Sequence, residues 1–218
     1  MPDFFDLYDF RCRVASLYRE RAKALLDGDD AVETWQRFRA GRDELFATHP
    51  QSALDEEQRR QFKTLSYFPY NPAMCVAARV ETGVEAALFT VAMNAQESMT
   101  MTRVAQLHFE LEGHAAMLSL YWINMYGGGL FLPFRDATCP EESYGGGRYL
   151  FDTIKGSDFL HVPGAAVREQ ILLDFNYAYN PSCAYNSHWV CPLSPRENRL
   201  DAPVRAGEKN FSLEETAR

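Results

Sequence analysis

No run of basic residues occurs in the 218-residue chain, and 30 Asp and Glu outnumber 22 Lys and Arg, for a net charge of −8. Nucleic-acid binding draws on clustered cations that displace counterions from phosphates, so no nucleic-acid partner is expected. Long apolar runs are lacking too. The most apolar stretch, around residues 115–125, falls short of the roughly 20 residues that span a bilayer, and no membrane partner is expected. The chain opens on Met1-Pro2-Asp3, acidic where an export signal is positive, so a soluble, cytoplasmic protein is expected. Cysteine is sparse: Cys12, Cys75, Cys139, Cys183 and Cys191 are odd in number and scattered. That argues against a disulfide framework and favours reduced, packed thiols.

With 46% hydrophobic and 24% charged residues, the chain can bury one sizeable core, and one main domain is the starting expectation. The first third is helical in pattern. Leu7, Phe10, Val14, Leu17, Tyr18 and Leu25 recur every three or four residues, and Gly28 breaks the run. Asp29 or Asp30 can cap a second helix carrying Val32, Trp35, Phe38, Leu45 and Phe46, with Arg37, Arg39 and Arg42 around it. His49-Pro50 ends it, because the residue before proline is pushed out of the helical region. Ser52 followed by Asp55 resembles a capping box for a short acidic helix through Phe62.

From Tyr67 onward the period becomes two. Ala105, Leu107, Phe109 and Leu111 alternate with Gln106, His108 and Glu110, Glu112-Gly113 makes a turn, and His114 to Asn124 returns as a central strand. Val76 to Glu81, Ala86 to Ala92, Leu130 to Phe134, Tyr149 to Ile154 and Gln170 to Tyr179 are further strands. The expected fold is mainly β (α+β): an antiparallel β-sandwich or barrel-like core of about seven to nine strands with an N-terminal helical segment packed on it. The expected organisation is a helical segment over 1–62, a β domain over 63–211 and a tail over 212–218.

The stretch from Phe134 to Leu200 concentrates Gly, Pro, Asn, Tyr, Asp and Arg far beyond what regular elements need. Read as a strand, 170–179 puts Leu173, Phe175, Tyr177 and Tyr179 on one face and Asp174, Asn176 and Asn180 on the other. That polar face either meets solvent or lines a barrel mouth. Gly145-Gly146-Gly147 before Arg148 is read as a turn, since the Walker lysine and the strand-turn-helix context are lacking; it names no cofactor.

The succession YFPYNP (67–72), LFLPFRDAT (130–138), SYGGGRYL (143–150), LDFNYAYNPSCAY (173–185), CPLSPRENRL (191–200) and RAGE (205–208) resembles domain-of-unknown-function family 1684 of bacteria. The resemblance covers about Phe62 to Phe211, with a similar short helical N-terminus around HPQSAL (49–54). It implies no activity that transfers. Cys139-Pro140 departs from the family's small residue and glycine, and Ser182 replaces a usual proline, so Cys139 is a poor candidate for a shared role.

For acid-base chemistry the candidate catalytic set is Asp174, Glu142 and Asp136. Candidate ligand-binding residues are Tyr144, Arg148, Asn176, Asn180 and Tyr185, facing a small polar or anionic ligand. Arg148 can instead lock Asp136 or Glu142 in an internal ion pair. The preferred reading is a small-molecule-binding β domain, with enzymatic activity left open. One alternative is a non-catalytic binding or scaffold module in which these polar groups hold loops. A second is a zinc site at Cys183, His188 and Cys191, although seven residues separate the two thiols, wider than the usual knuckle. A nucleophilic Cys183 would have His188 as its nearest base in sequence.

Overall fold

Local capping sets the helical hairpin at the N-terminus. Helix α1 spans Phe4–Leu26 and is capped by Asp3, whose carboxylate accepts the Phe5 amide at 2.8 Å. It stops where Gly28 turns at φ +85°, with Gly28 and Asp29 amides closing on the Leu25 and Ala24 carbonyls. Helix α2 spans Ala31–Thr48, with Asp30 accepting the Glu33 amide at 2.9 Å, and it ends at His49 before Pro50. Helix α3 spans Glu56–Gln61. Its capping box is Asp55 with Gln58, one step later than the Ser52–Asp55 pairing expected from sequence. Ser52 is buried instead, donating to the Phe46 carbonyl at 2.7 Å. A computed structural model describes residues 3–92 and 98–213; Met1 and Pro2 of the acidic start and residues 214–218 of the expected tail lie outside the described residues.

Eight antiparallel strands follow: β1 Cys75–Thr82, β2 Leu88–Ala92, β3 Ser98–Leu111, β4 His114–Ile123, β5 Gly129–Phe134, β6 Arg148–Asp152, β7 Leu160–His161 and β8 Gln170–Asp174. They form one curled sheet in the order β6-β5-β4-β3-β1-β8-β7, with β2 beside β3. The mainly β, barrel-like core with helices packed on it is thus the observed fold. At 14 residues, β3 is long enough to pair with β2 through its first half and β1 through its second, the bulge between Arg103 and Ala105 marking the join. Glu112 and Gly113 both take positive φ, so a tight two-residue turn joins β3 to β4 as the pattern predicts. An isolated bridge pairs Tyr149 of β6 with Tyr179 beyond β8, which draws the two sides of the curl together.

The predicted strand over 170–179 is corrected by the structure. It ends at Asp174, whose carboxylate accepts the Asn176 amide at 3.1 Å and starts a 3-10 turn over Phe175–Tyr177. A short polar side chain offers the backbone a local partner in place of the ladder. Alternation is therefore lost, and Asp174, Asn176 and Asn180 are all buried along with Phe175 and Tyr177, while Tyr179 is half-buried.

Leu107, Leu118, Phe134, Phe151, Leu173 and Phe175 lie within the main core inside the curl. A separate aromatic layer of Tyr18, Trp35, Phe38 and Tyr177 joins the helical hairpin to the segment after β8. Phe38 meets Tyr177 edge to face at 4.8 Å, and the Trp35 indole donates to the Asn176 carbonyl at 3.1 Å. The hairpin is thereby fixed over the chain from 175 to 180.

Candidate functional site

Where α1 and α2 face the loop over 180–191, the packing leaves a cavity of about 180 Å³. Phe10, Val14, Phe46, Trp189 and Val190 supply apolar wall, and Tyr149, Tyr179, Asn180 and Tyr185 bring polar groups to it. Its lining includes three cations, Arg11, Arg42 and Lys155, and no carboxylate. Arg42 is neutralised from behind: its guanidinium meets Glu208 at 2.5 Å, with both side chains buried. Glu208 also accepts from Tyr67 at 3.1 Å, from the Asn180 amide at 2.9 Å and from the Tyr185 hydroxyl. Four donors satisfy that carboxylate. Arg11 and Lys155 are exposed at the rim; Lys155 stands 3.9 Å from Asp152, while Arg11 forms no ion pair with any described residue.

Burial pushes the phenols of Tyr149, Tyr179 and Tyr185 well above their ordinary range, so they stay protonated and remain hydrogen-bond donors. Tyr149 donates to the Pro192 carbonyl at 2.5 Å, and Tyr179 shares a 2.6 Å hydrogen bond with Ser157. Asn180 commits its amide nitrogen to the Lys209 carbonyl at 2.8 Å. Its Oδ1 is buried without a partner among the described residues.

The loop itself is pinned to the helical side. Trp189 donates to the Ala53 carbonyl at 2.9 Å, Gln58 to the Tyr185 carbonyl at 2.7 Å, and Asn186 to Asp55 at 3.1 Å. Within it the Cys183 amide donates to Cys191 Sγ at 3.4 Å, and Tyr144 Oη lies 3.5 Å from Cys183 Sγ. A hydrogen bond from Cys191 pulls the Cys183 thiol down to about 6, overriding burial, and Tyr144 adds to the effect. The same contact holds Cys191 up. His188 is exposed, and among the described residues no group of three His, Cys, Asp or Glu side chains is placed to hold a metal. The expected zinc set of Cys183, His188 and Cys191 is therefore not assembled among the described residues.

The eight residues singled out in the sequence fall into several places. Asn180 and Tyr185 line the cavity. Arg148 and Asp136 form a fully buried ion pair at 3.0 Å, and Arg148 also donates to the carbonyls of Val204, Ala206 and Glu208 at 2.8, 2.5 and 3.1 Å. Asp136 accepts further from Thr138 and from the Val204 amide. Glu142 sits on the surface with Arg205, whose bidentate contact holds its carboxyl below the usual range. Asn176 exchanges hydrogen bonds with the Asn71 backbone at 2.8 and 2.9 Å and donates to Asp174. Burial raises the Asp174 carboxyl, against Asn176 and Arg21. Tyr144 belongs with the thiols.

Sequence reasoning passed over Arg42, Glu208, Arg11 and Lys155. One signal was available for Arg42: it stands four residues after Phe38 and three before Leu45, on the apolar stripe of α2, where a charge needs a buried partner.

The family described as "Protein of unknown function (DUF1684)" matches residues 60–209. The chain belongs to this family. Among solved structures, the DUF1684 chain is similar to an uncharacterised protein of Haloarcula marismortui determined by NMR in solution. The two are 33% identical with a TM-score of 0.58, over 81% of this chain and 92% of that one. No curated protein matches. None of the described helices is long and apolar enough to cross a membrane.

Proposed function

We propose that this DUF1684 protein binds a small anionic metabolite with an apolar body in the cavity between the helical hairpin and the 180–191 loop. The observation that carries this reading is a lining with Arg11, Arg42 and Lys155 and no carboxylate, in a chain whose net charge is −8. Glu208 compensates Arg42, so the attraction for an anion comes from Arg11 and Lys155 at the rim. Aromatic and aliphatic walls take the apolar part of the ligand. A volume of about 180 Å³ calls for a compact ligand, below the drug-sized range of roughly 300–1,000 Å³.

The remaining motif residues support a structural role. Arg148, Asp136 and Asn176 direct their donors and acceptors to backbone groups far away in sequence, as loop-holding networks do. On this reading Asp174, Glu142 and Asp136 belong to three separate local networks, and the ligand meets none of them.

Thermal-shift titration with short aliphatic and aromatic monocarboxylates and small phosphate monoesters tests the proposal, with the matching amides as neutral controls. Anions are expected to raise the melting temperature, amides to leave it unchanged, and an Arg11→Ala, Lys155→Ala variant to melt normally while losing the response. An equal response to the amides, no response to any anion, or full retention in the double variant would sink the reading.

A further inference from the structure

Five cysteines are present, and two of them face each other. Cys183 lies in a 3-10 turn over Ser182–Ala184, after Asn180-Pro181, and Cys191 precedes Pro192 at the other end of the loop. Both ends are anchored independently of the sulfurs. The Asn180 amide is bound to Glu208, and the Pro192 carbonyl accepts from Tyr149. Between these anchors the Cys183 amide points at Cys191 Sγ at 3.4 Å, so the two thiols are held together by the frame around them. Cys183 is half-buried, whereas Cys191 is buried and belongs to the lining of the cavity.

The other three are placed differently. Cys75 is on β1 opposite Asp174, and burial with that neighbouring carboxylate pushes its thiol up to about 12. Cys139 contacts Ser143 and Asp136, and Cys12 is on α1. Only for Cys183 do a thiol donor, a phenol and partial exposure converge.

We propose that Cys183 and Cys191 form a thiol-disulfide exchange site, in which Cys183 attacks a low-molecular-weight disulfide and Cys191 resolves the product. The Cys183 thiolate attacks one sulfur of R–S–S–R, forming a Cys183–S–S–R mixed disulfide and expelling RS⁻, which takes up a proton. Cys191 then loses its proton to solvent and attacks Cys183 Sγ, forming the Cys183–Cys191 disulfide and expelling the second RS⁻. Two protein thiols are oxidised, one small disulfide is reduced to two thiols, and the two protons released by the protein match the two taken up. Thiolate character near neutral pH makes Cys183 the attacking sulfur; Cys191, held protonated, waits for the mixed disulfide to form. Cys191 also lines the cavity, but the exchange needs no ligand bound there, so this proposal and the anion proposal fail separately.

Oxidised glutathione is the probe, with peptide mapping by mass spectrometry after blocking the remaining thiols. Wild-type protein is expected to yield a Cys183–Cys191 crosslink, Cys191→Ser a persistent glutathione adduct on Cys183, and Cys183→Ser no adduct on Cys191. In untreated wild type, iodoacetamide should modify Cys183 at least about tenfold faster than Cys75 at neutral pH, with a midpoint near 6 in the pH profile. A lasting Cys183 adduct without crosslink in wild type overturns the proposal. So does a Cys183 alkylation midpoint near the ordinary 9.0. The wild-type crosslink and pH profile do not depend on any variant folding.

Discussion

Arg42 on α2 and Glu208 near the end of the described chain lie 166 positions apart and meet at 2.5 Å, with side-chain exposures of 9% and 1%. The pair ties the helical hairpin to the C-terminal segment beneath the cavity. Arg42→Met removes the only cation in contact with Glu208 among the described residues and leaves a buried charge uncompensated. Unfolding in urea should show a loss of about 3–5 kcal/mol. Adding Glu208→Gln should recover part of it, because the stranded charge is gone. A loss below about 1 kcal/mol for Arg42→Met would mean that the pair is no more than a surface contact.

Asn198 replaces a strand's worth of pairing with one carboxamide. Its Oδ1 accepts the Ser119 amide at 2.8 Å, and its Nδ2 donates to the Ser119 and Pro133 carbonyls at 2.8 and 2.7 Å. Pro133 lies beside the bulge in β5 and has no amide of its own to offer. Asn198→Ala leaves these groups unsatisfied in the core, and a loss of about 2–4 kcal/mol is expected from chemical denaturation. Asn198→Asp, keeping the acceptor but losing the donors and adding a buried charge, should do no better. Near-wild-type stability in either variant would contradict this account.

Gly207 is required by both conformation and space. It takes φ +76°, and a Cβ there would come within 2.5 Å of the Ala178 carbonyl and 2.7 Å of the Phe175 carbonyl. Both obstacles are backbone. Gly207→Ala is expected to destabilise by more than about 2 kcal/mol, beyond the strain of a left-handed residue alone. Gly28 also turns at positive φ but has open space around it, so Gly28→Ala should cost only about 1 kcal/mol. Thermal melts of the two variants side by side decide the matter, and equal losses would refute the crowding argument.

Asp174 supplies the pH prediction. Burial raises its carboxyl above the ordinary 3.8, so the folded state holds this proton more tightly than the unfolded chain does. Its contribution to stability is therefore fully present below 3.8 and is lost as pH rises through the folded value. Asp174→Asn removes that term. The stability difference, variant minus wild type, should grow as pH rises from about 4 toward neutrality and then level off. Parallel pH profiles by urea titration would show that Asp174 carries no such linkage.

The parts of this molecule that were legible in the sequence are local. Gly28, Asp30 and His49-Pro50 bound the helices because caps and breakers act within a few residues, and the Glu112-Gly113 hairpin is read the same way. The Arg148–Asp136 pair was foreseen as one of two options, since a buried guanidinium demands a carboxylate nearby. The strand through 179 was not legible, because one side-chain hydrogen bond at Asp174 outweighs the alternation that follows it. The cavity was less so. Its walls come from α1, α2, β6 and the 180–191 loop, and the Glu208 that compensates Arg42 stands behind them, so no window of sequence contains it. Asn180 and Tyr185 were picked out for their chemistry, and only the fold shows that they share a wall.

The Tyr149–Tyr179 bridge bears on how this chain behaves beside copies of itself. A curled sheet with open sides offers unpaired backbone for another chain to extend. Here one side is β6, which is short and met at its start by Tyr179, whose amide and carbonyl pair with Tyr149 at 2.8 and 3.0 Å. The opposite side is β7, only two residues long. Little template remains for edge-to-edge growth on these two sides, so the bridge that shapes the cavity wall also guards the β6 side, and the edge left open among the described strands is β2, paired with β3 alone.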